Sequence, residues 1–117
     1  MSETLETKAF VGEPEKVIYE EMVAGRKRYL IDEYPNLERE LEVICQGLTG
    51  DDESIQVGIE GLINLQGEGS EPAKECFASL LLGRSSKEVY ATNQRLIESL
   101  ENGNLREILL AMSGRGD

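Results

Sequence analysis

The chain has 117 residues, of which 39% are hydrophobic and 30% are charged, and its formal net charge is −11. This composition is typical of one soluble globular domain and is too apolar for a fully disordered chain. No apolar run approaches the roughly 18 residues of a membrane-spanning helix, and the polar N-terminus MSETLETKAF is unlike a secretory signal, so we expect a cytoplasmic protein without membrane association.

Residues 1–12 show no hydrophobic periodicity, and we predict that they form a flexible tail before a single helical domain at residues 13–112. Glu13 and Pro14 are typical of a helix start, because a proline in the first turn loses no hydrogen bond. Acidic side chains precede basic ones along this first helix, an order that complements the helix dipole. The helix should end before Pro35, since the residue before a proline avoids the α region.

A second helix is predicted for the stretch PNLERELEVICQG, in which apolar side chains recur every three or four residues. Gly47 or Gly50 supplies its C-terminal stop.

The stretch SIQVGIEGLINLQGEG at residues 54–69 contains four glycines and allows three interpretations. A phosphate-binding loop is disfavoured, because no lysine follows the glycines as a P-loop requires. Residues 58–61 fit the GXXG loop that clamps an RNA backbone, but the basic side chains nearest to it in sequence are Arg39 and Lys74. We therefore expect no direct nucleic-acid binding here.

A β-hairpin and a helix remain for residues 54–66. The hairpin would alternate apolar and polar residues up to a turn at Glu60 and Gly61, but its second strand spoils that alternation. The helix places apolar side chains on one face, with Asp51 or Asp52 as its N-cap. Two interior glycines would cost about 1 kcal/mol each relative to alanine, so a helix here predicts that another helix approaches closely and offsets this cost.

Three further helices follow by the same combination of a cap, an apolar stripe and a glycine stop. Ser70 precedes the first of them, and Ser85 or Ser86 caps the second, which Gly103 closes. Asn104 caps the last.

The predicted fold is therefore all-α, a compact array of five or six short antiparallel helices. The alternative is an α+β fold in which residues 54–66 form the hairpin. Residues 113–117 should form a flexible C-terminal tail, and the adhesion-like tripeptide at its end, residues 115–117, carries too little information to indicate a function.

The sequence offers no catalytic set. Histidine is absent, and the two cysteines, Cys45 and Cys76, lack neighbours that would activate a thiol. We interpret both as buried, reduced thiols, although their spacing leaves a disulfide open. Clustered carboxylates are better explained as helix caps and solvated helix faces than as a cation site. We expect no enzyme activity, no cofactor and no metal.

The charge is uneven: residues 1–75 carry 18 acidic and 7 basic side chains, whereas residues 76–117 carry five of each. This excess favours a basic protein partner, because an acidic field attracts one and repels nucleic acid. The leading hypothesis is a non-catalytic protein-binding module, such as an inhibitor or immunity protein that masks a nucleic-acid-binding surface. Solubility alone would also explain the charge. The candidate contact residues are Glu38, Glu42, Asp51, Asp52, Glu53 and Glu60.

An alternative hypothesis is an assembly protein that self-associates through the neutral, apolar residues 76–117 as a two-fold homodimer. The runs LLL and ILLAM place apolar side chains on consecutive helix positions, which one stripe cannot bury. Leu82 and Leu110 are predicted to point outward, unless other helices of the same chain cover both sides.

Overall fold

A computed structural model describes the backbone of residues 3–83 and 86–113 and the side chains of residues 15–83 and 86–113. Its elements are α1 (Glu3–Glu33), a 3-10 turn (Pro35–Leu37), α2 (Glu38–Leu48), α3 (Asp52–Ile63), α4 (Ser70–Leu81), α5 (Lys87–Glu98) and α6 (Gly103–Ser113). The described residues are 82% helical and contain no strand. The all-α prediction is confirmed, and the hairpin alternative for residues 54–66 is wrong.

Helix α1 begins at Glu3 and not at Glu13, so Pro14 lies inside the helix. The prediction placed the start at Glu13 because an interior proline lacks a backbone N–H and crowds the carbonyl four residues earlier, but the helix continues on both sides of Pro14. The flexibility of residues 1–12 is still a prediction. Residues 1–2 lie outside the described part of the chain. In the C-terminal tail, Ser113 still belongs to α6, and residues 114–117 are likewise outside the description.

One hydrophobic core lies between the helices, and each helix contributes to it. Phe77 of α4 is the largest side chain that is fully buried. It is accompanied by fully or almost fully buried side chains from the other helices, among them Leu30, Leu41, Ile59, Leu96 and Leu109. Within the described residues, no helix is long and apolar enough to cross a membrane.

The glycines of α2 and α3 are where these two helices approach most closely. A Cβ atom built on Gly58 would lie 2.9 Å from the backbone oxygen of Ile44, and one on Gly47 would lie 2.8 Å from the backbone oxygen of Ser54. A Cβ on Gly61 would lie 3.0 Å from the side chain of Ile44. The close approach that the sequence predicted is therefore present, and the cost of glycine inside a helix is offset by backbone-to-backbone packing.

Two of the predicted caps are confirmed. The side chain of Asp51 accepts a hydrogen bond of 2.9 Å from the backbone N–H of Ser54 at the start of α3. Ser86 does the same for Val89 at the start of α5, at 3.3 Å. Each side chain satisfies a backbone donor that the first turn of a helix leaves without a partner.

The first helix ends at Glu33, before Pro35 as predicted, whereas the end of α5 and the start of α6 differ from the prediction. Asn102, and not Asn104, caps α6, since its side-chain oxygen accepts from the N–H of Leu105 at 3.1 Å. Gly103 consequently belongs to α6 and does not close α5, which ends at Glu98.

Ser70 is the first residue of α4 and not its cap. The residue before it, Gly69, has a φ of 90°, and a Cβ there would overlap the Tyr34 ring. The chain enters α4 through a left-handed turn that requires glycine, and a search for Ser or Asn caps does not detect such a turn.

We expect far-UV circular dichroism to show this helical content directly. The measured helix fraction should lie close to the 82% of the described residues. A value below about 35%, which is ordinary for globular proteins in general, would contradict the fold.

Candidate functional site

The predicted contact acids Glu38 and Glu42 lie one turn apart on the exposed face of α2. Together with Pro35, Arg39 and Val43 they line a shallow depression beside the turn that precedes α2. Glu42 also forms an ion pair of 3.3 Å with Lys27 of α1. Part of its charge is therefore used to hold α2 against α1, whereas Glu38 is exposed at the start of its helix.

Residues 51–53 lie at the other end of α2, where the chain turns into α3. The hydrogen bond from the backbone of Ser54 lowers the pKa of the Asp51 carboxyl, so Asp51 is a cap as well as an exposed acid. Asp52 and Glu53 are exposed in the first turn of α3. With a rise of about 1.5 Å per residue, α2 separates this group from Glu38 by roughly 15 Å, and the structure does not bring the predicted acids into one cluster.

Glu60, like Glu42, has a partner of opposite charge within the fold. Both of its carboxylate oxygens accept hydrogen bonds from the guanidinium of Arg95 on α5. This pairing lowers the pKa of Glu60 and raises that of Arg95. The sequence gives no sign of this pair, because 35 residues separate its members and no local pattern connects them.

The basic side chains are bonded within the molecule to an extent that the sequence did not indicate. Arg26 donates to the backbone oxygen of Cys76 and to the hydroxyl of Ser79, at 3.3 Å for the latter, which ties α1 to α4. Arg106 donates to the backbone oxygen of Leu100 at 2.8 Å. Lys27 and Arg95 form ion pairs, so four basic side chains have their partners within the molecule.

A second acidic group was missed in the sequence, at the corner between α1 and α2. Asp32 and Glu33 end α1, Glu38 and Glu40 begin α2, and all four side chains are exposed. Only the short turn around Pro35 separates the two pairs. We call these four residues the acidic corner. The sequence signal for it was a pair of acids on each side of a predicted helix break.

The predicted self-association residues are not outward. Leu82 and Leu110 are partly buried and packed against the core. The exposed large apolar side chains of α6 are Ile108 and Met112. The prediction that Leu82 and Leu110 face solvent is therefore wrong.

Both cysteines are free thiols, as the sequence suggested, but only Cys45 is buried, whereas Cys76 is half-buried. Burial raises the pKa of Cys45 to about 11, and it also raises the pKa of Cys76. A thiol needs its thiolate form to act as a nucleophile or a metal ligand. In the described part of the chain, no group of three or more acidic, cysteine or histidine side chains could hold a metal ion.

We expect Cys45 to resist alkylation in the folded protein. At pH 8 a thiol with a pKa of about 11 is almost entirely protonated, and its side chain is buried. A thiol reagent should label Cys76 slowly and Cys45 hardly at all, and should label both in denaturant. Native labelling of Cys45 at the rate of a free thiol, located by peptide mass spectrometry, would contradict this burial.

An open groove of about 550 Å³ runs beside α1. It is lined by Ile18, Tyr19 and Met22 of α1, by Leu80 at the end of α4 and by Thr49 in the turn after α2. Glu15, Lys16 and Glu20 also line it, so its walls mix apolar and charged side chains, whereas a typical small-molecule pocket is mostly apolar and encloses its ligand.

Comparisons with protein-family models, with curated proteins and with solved structures found no match to this chain. Its function must therefore be inferred from its own residues.

Proposed function

We propose that this chain is a non-catalytic, cytoplasmic protein-binding module that inhibits a basic partner by covering the partner's nucleic-acid-binding surface. The observation that supports the proposal best is the division of charge. The chain has a net charge of −11, its acidic corner is exposed, and several of its basic side chains are bonded internally.

The net charge of −11 gives the molecule a negative outward field. Charges of one sign on a surface accelerate encounter with a partner of opposite sign and discourage wrong partners. The acidic corner has a further advantage as a contact, since its side chains are anchored by two helices that share the core. A rigid arrangement loses less conformational entropy on binding than a mobile acidic tail would.

Among the individual acids, Glu38 belongs to both the predicted set and the acidic corner, and we expect it to contribute most to binding. Asp52 and Glu53 would extend the contact to the opposite end of α2. Glu42 and Glu60 should contribute less, because Lys27 and Arg95 already balance their charges. Asp51 should act mainly through the start of α3, which it caps.

The proposal is tested by capturing partners on the immobilised protein at low and at high salt. The test variant replaces the acidic corner with its neutral isosteres, Asp32→Asn, Glu33→Gln, Glu38→Gln and Glu40→Gln. The matched control replaces four exposed acids of the neutral last third, Glu88, Glu98, Glu101 and Glu107, with glutamine.

We expect a basic protein that the parent and the control retain at low salt, and that both high salt and the test variant release. Retention by the test variant equal to that by the parent would contradict a role for the acidic corner. A partner that is acidic, or one whose binding is insensitive to salt, would contradict the electrostatic mechanism.

The alternative, an assembly protein that associates through residues 76–117, has weaker support. Among the described residues of this region, the exposed large apolar side chains are Ile108 and Met112, which lie one turn apart on α6. Glutamate at both positions should leave the oligomeric state unchanged, and a loss of self-association in that variant would favour the alternative.

A further inference from the structure

Helix α1 carries an exposed apolar stripe, of which Ile18 and Met22 also line the groove beside Leu80. Ile18, Met22 and Tyr29 are 55%, 41% and 58% exposed, and Gly25 lies between them. The four positions are spaced by four, three and four residues, which is the repeat that keeps one face of a helix against a partner helix. Exposed apolar side chains that line up in this way indicate a contact surface more strongly than isolated ones do.

Gly25 is the second observation, because nothing in the described chain explains it. A Cβ built on Gly25 would meet no atom within 4 Å, and a glycine inside a helix weakens it relative to alanine. Elsewhere in the chain, at Gly47 and Gly58, the glycines are where two helices meet at backbone distance. By the same logic, Gly25 leaves a notch in the outward face of α1 that fits a side chain of an approaching helix.

The charges beside the stripe identify the approaching helix. Glu21 and Arg28 are exposed on the same flank, seven residues apart, and neither has an ion-pair partner among the described residues. In an antiparallel pair of identical helices, equivalent flanks face each other. Glu21 of one copy then lies opposite Arg28 of the partner subunit, and the two-fold axis repeats the pair. In a parallel pair, the flank that carries both residues would face the opposite flank of the partner helix, so Glu21 and Arg28 would not meet.

We propose that the exposed face of α1 is the contact of an antiparallel homodimer. Met22 of each copy packs into the notch at Gly25 of the partner subunit, Ile18 packs against Tyr29 of the partner subunit, and two Glu21–Arg28 pairs flank them. The contact spans about two heptads and is smaller than the roughly 1,200 Å² of a standard stable interface, so the dimer is weak and forms at high protein concentration.

The test is analytical ultracentrifugation of the whole chain from micromolar to millimolar concentration. Salt is a poor readout, because two copies of net charge −11 repel each other while the ion pairs attract. Charge reversal avoids this difficulty. Glu21→Arg places arginine opposite arginine and Arg28→Glu places glutamate opposite glutamate, so each single variant should raise the dissociation constant by about tenfold or more.

An equimolar mixture of the two single variants restores both attractive pairs and should form a heterodimer about as well as the parent forms its homodimer. Ile108→Glu on α6 is the control and should dimerise like the parent. The rescue by mixing excludes misfolding as the cause of the loss. A parent that stays monomeric throughout, single variants that dimerise normally, or a mixture that stays monomeric would each overturn the proposal.

Discussion

Replacing Asn93 with aspartate is expected to reduce the free energy of unfolding by about 3 kcal/mol at pH 7. Asn93 lies on α5 with 2% of its surface exposed, and its side-chain N–H donates to the backbone oxygen of Ala78 at 3.2 Å. At the end of α4, the backbone N–H of Leu82 donates to the backbone oxygen of Ser79 and not to that of Ala78. Asn93 thus satisfies a carbonyl that the helix end leaves open, which a carboxylate cannot do.

The pH dependence of this loss has a definite sign. Burial and the facing carbonyl oxygen raise the pKa of the introduced carboxyl above its unfolded value of about 3.9. The folded state then binds more protons than the unfolded state, so the variant loses stability as the pH rises above that value. Below it, the protonated carboxyl donates to Ala78 as the amide did, and most of the loss should be recovered.

Urea unfolding of the parent and of Asn93→Asp at pH 4 and pH 7 measures this difference. The same replacement at the exposed Asn104 is the matched control and should change stability by less than about 0.5 kcal/mol at either pH. A loss for Asn93→Asp that is equal at both pH values would contradict a buried carboxylate that faces Ala78.

Alanine at Gly58 should destabilise the protein by about 2 kcal/mol, although alanine is the better helix former. Its Cβ would lie 2.9 Å from the backbone oxygen of Ile44 and 3.0 Å from the side chain of Leu48. The backbone of α2 cannot rotate away as a flexible side chain could, so α2 and α3 must move apart and lose contact.

Gly25→Ala is the matched control for this prediction. It is the same substitution in a helix, but at a position where the Cβ meets nothing within 4 Å. Measured at a dilution that keeps the chain monomeric, it should stabilise the fold by about 0.5–1 kcal/mol. If both alanine variants changed stability in the same direction, the account of the α2–α3 packing would be wrong.

The helical class and most helix positions could be predicted because their signals are local. Asp51 and Ser86 are caps that bond a backbone N–H three residues ahead, and apolar spacing within a dozen residues fixed the buried faces. The helix over residues 54–66 could be predicted despite its glycines, since their cost implied a close neighbour. The entry into α4 could not, because the left-handed turn at Gly69 fits under Tyr34, 35 positions earlier in the chain.

For the candidate site, the sequence predicts that the surface is acidic but not which acids are paired within the fold. That Glu60 is balanced by Arg95, and that Arg26 is bonded to α4, depend on contacts between segments far apart in sequence. The prediction for Leu82 and Leu110 failed for the same reason. A run of consecutive apolar residues shows that one stripe cannot bury all of them, but not which of them a neighbouring helix covers, and on α6 the exposed ones are Ile108 and Met112.

The central claim, that this acidic module covers a nucleic-acid-binding surface, is tested most directly by a competition measurement. The captured partner is first bound to labelled nucleic acid, and the release of the label is followed as the protein is added. The account predicts release that approaches one equivalent of protein per partner, and much weaker release by the variant with a neutral acidic corner. A ternary complex that retains the nucleic acid, or equal release by both forms, would contradict it.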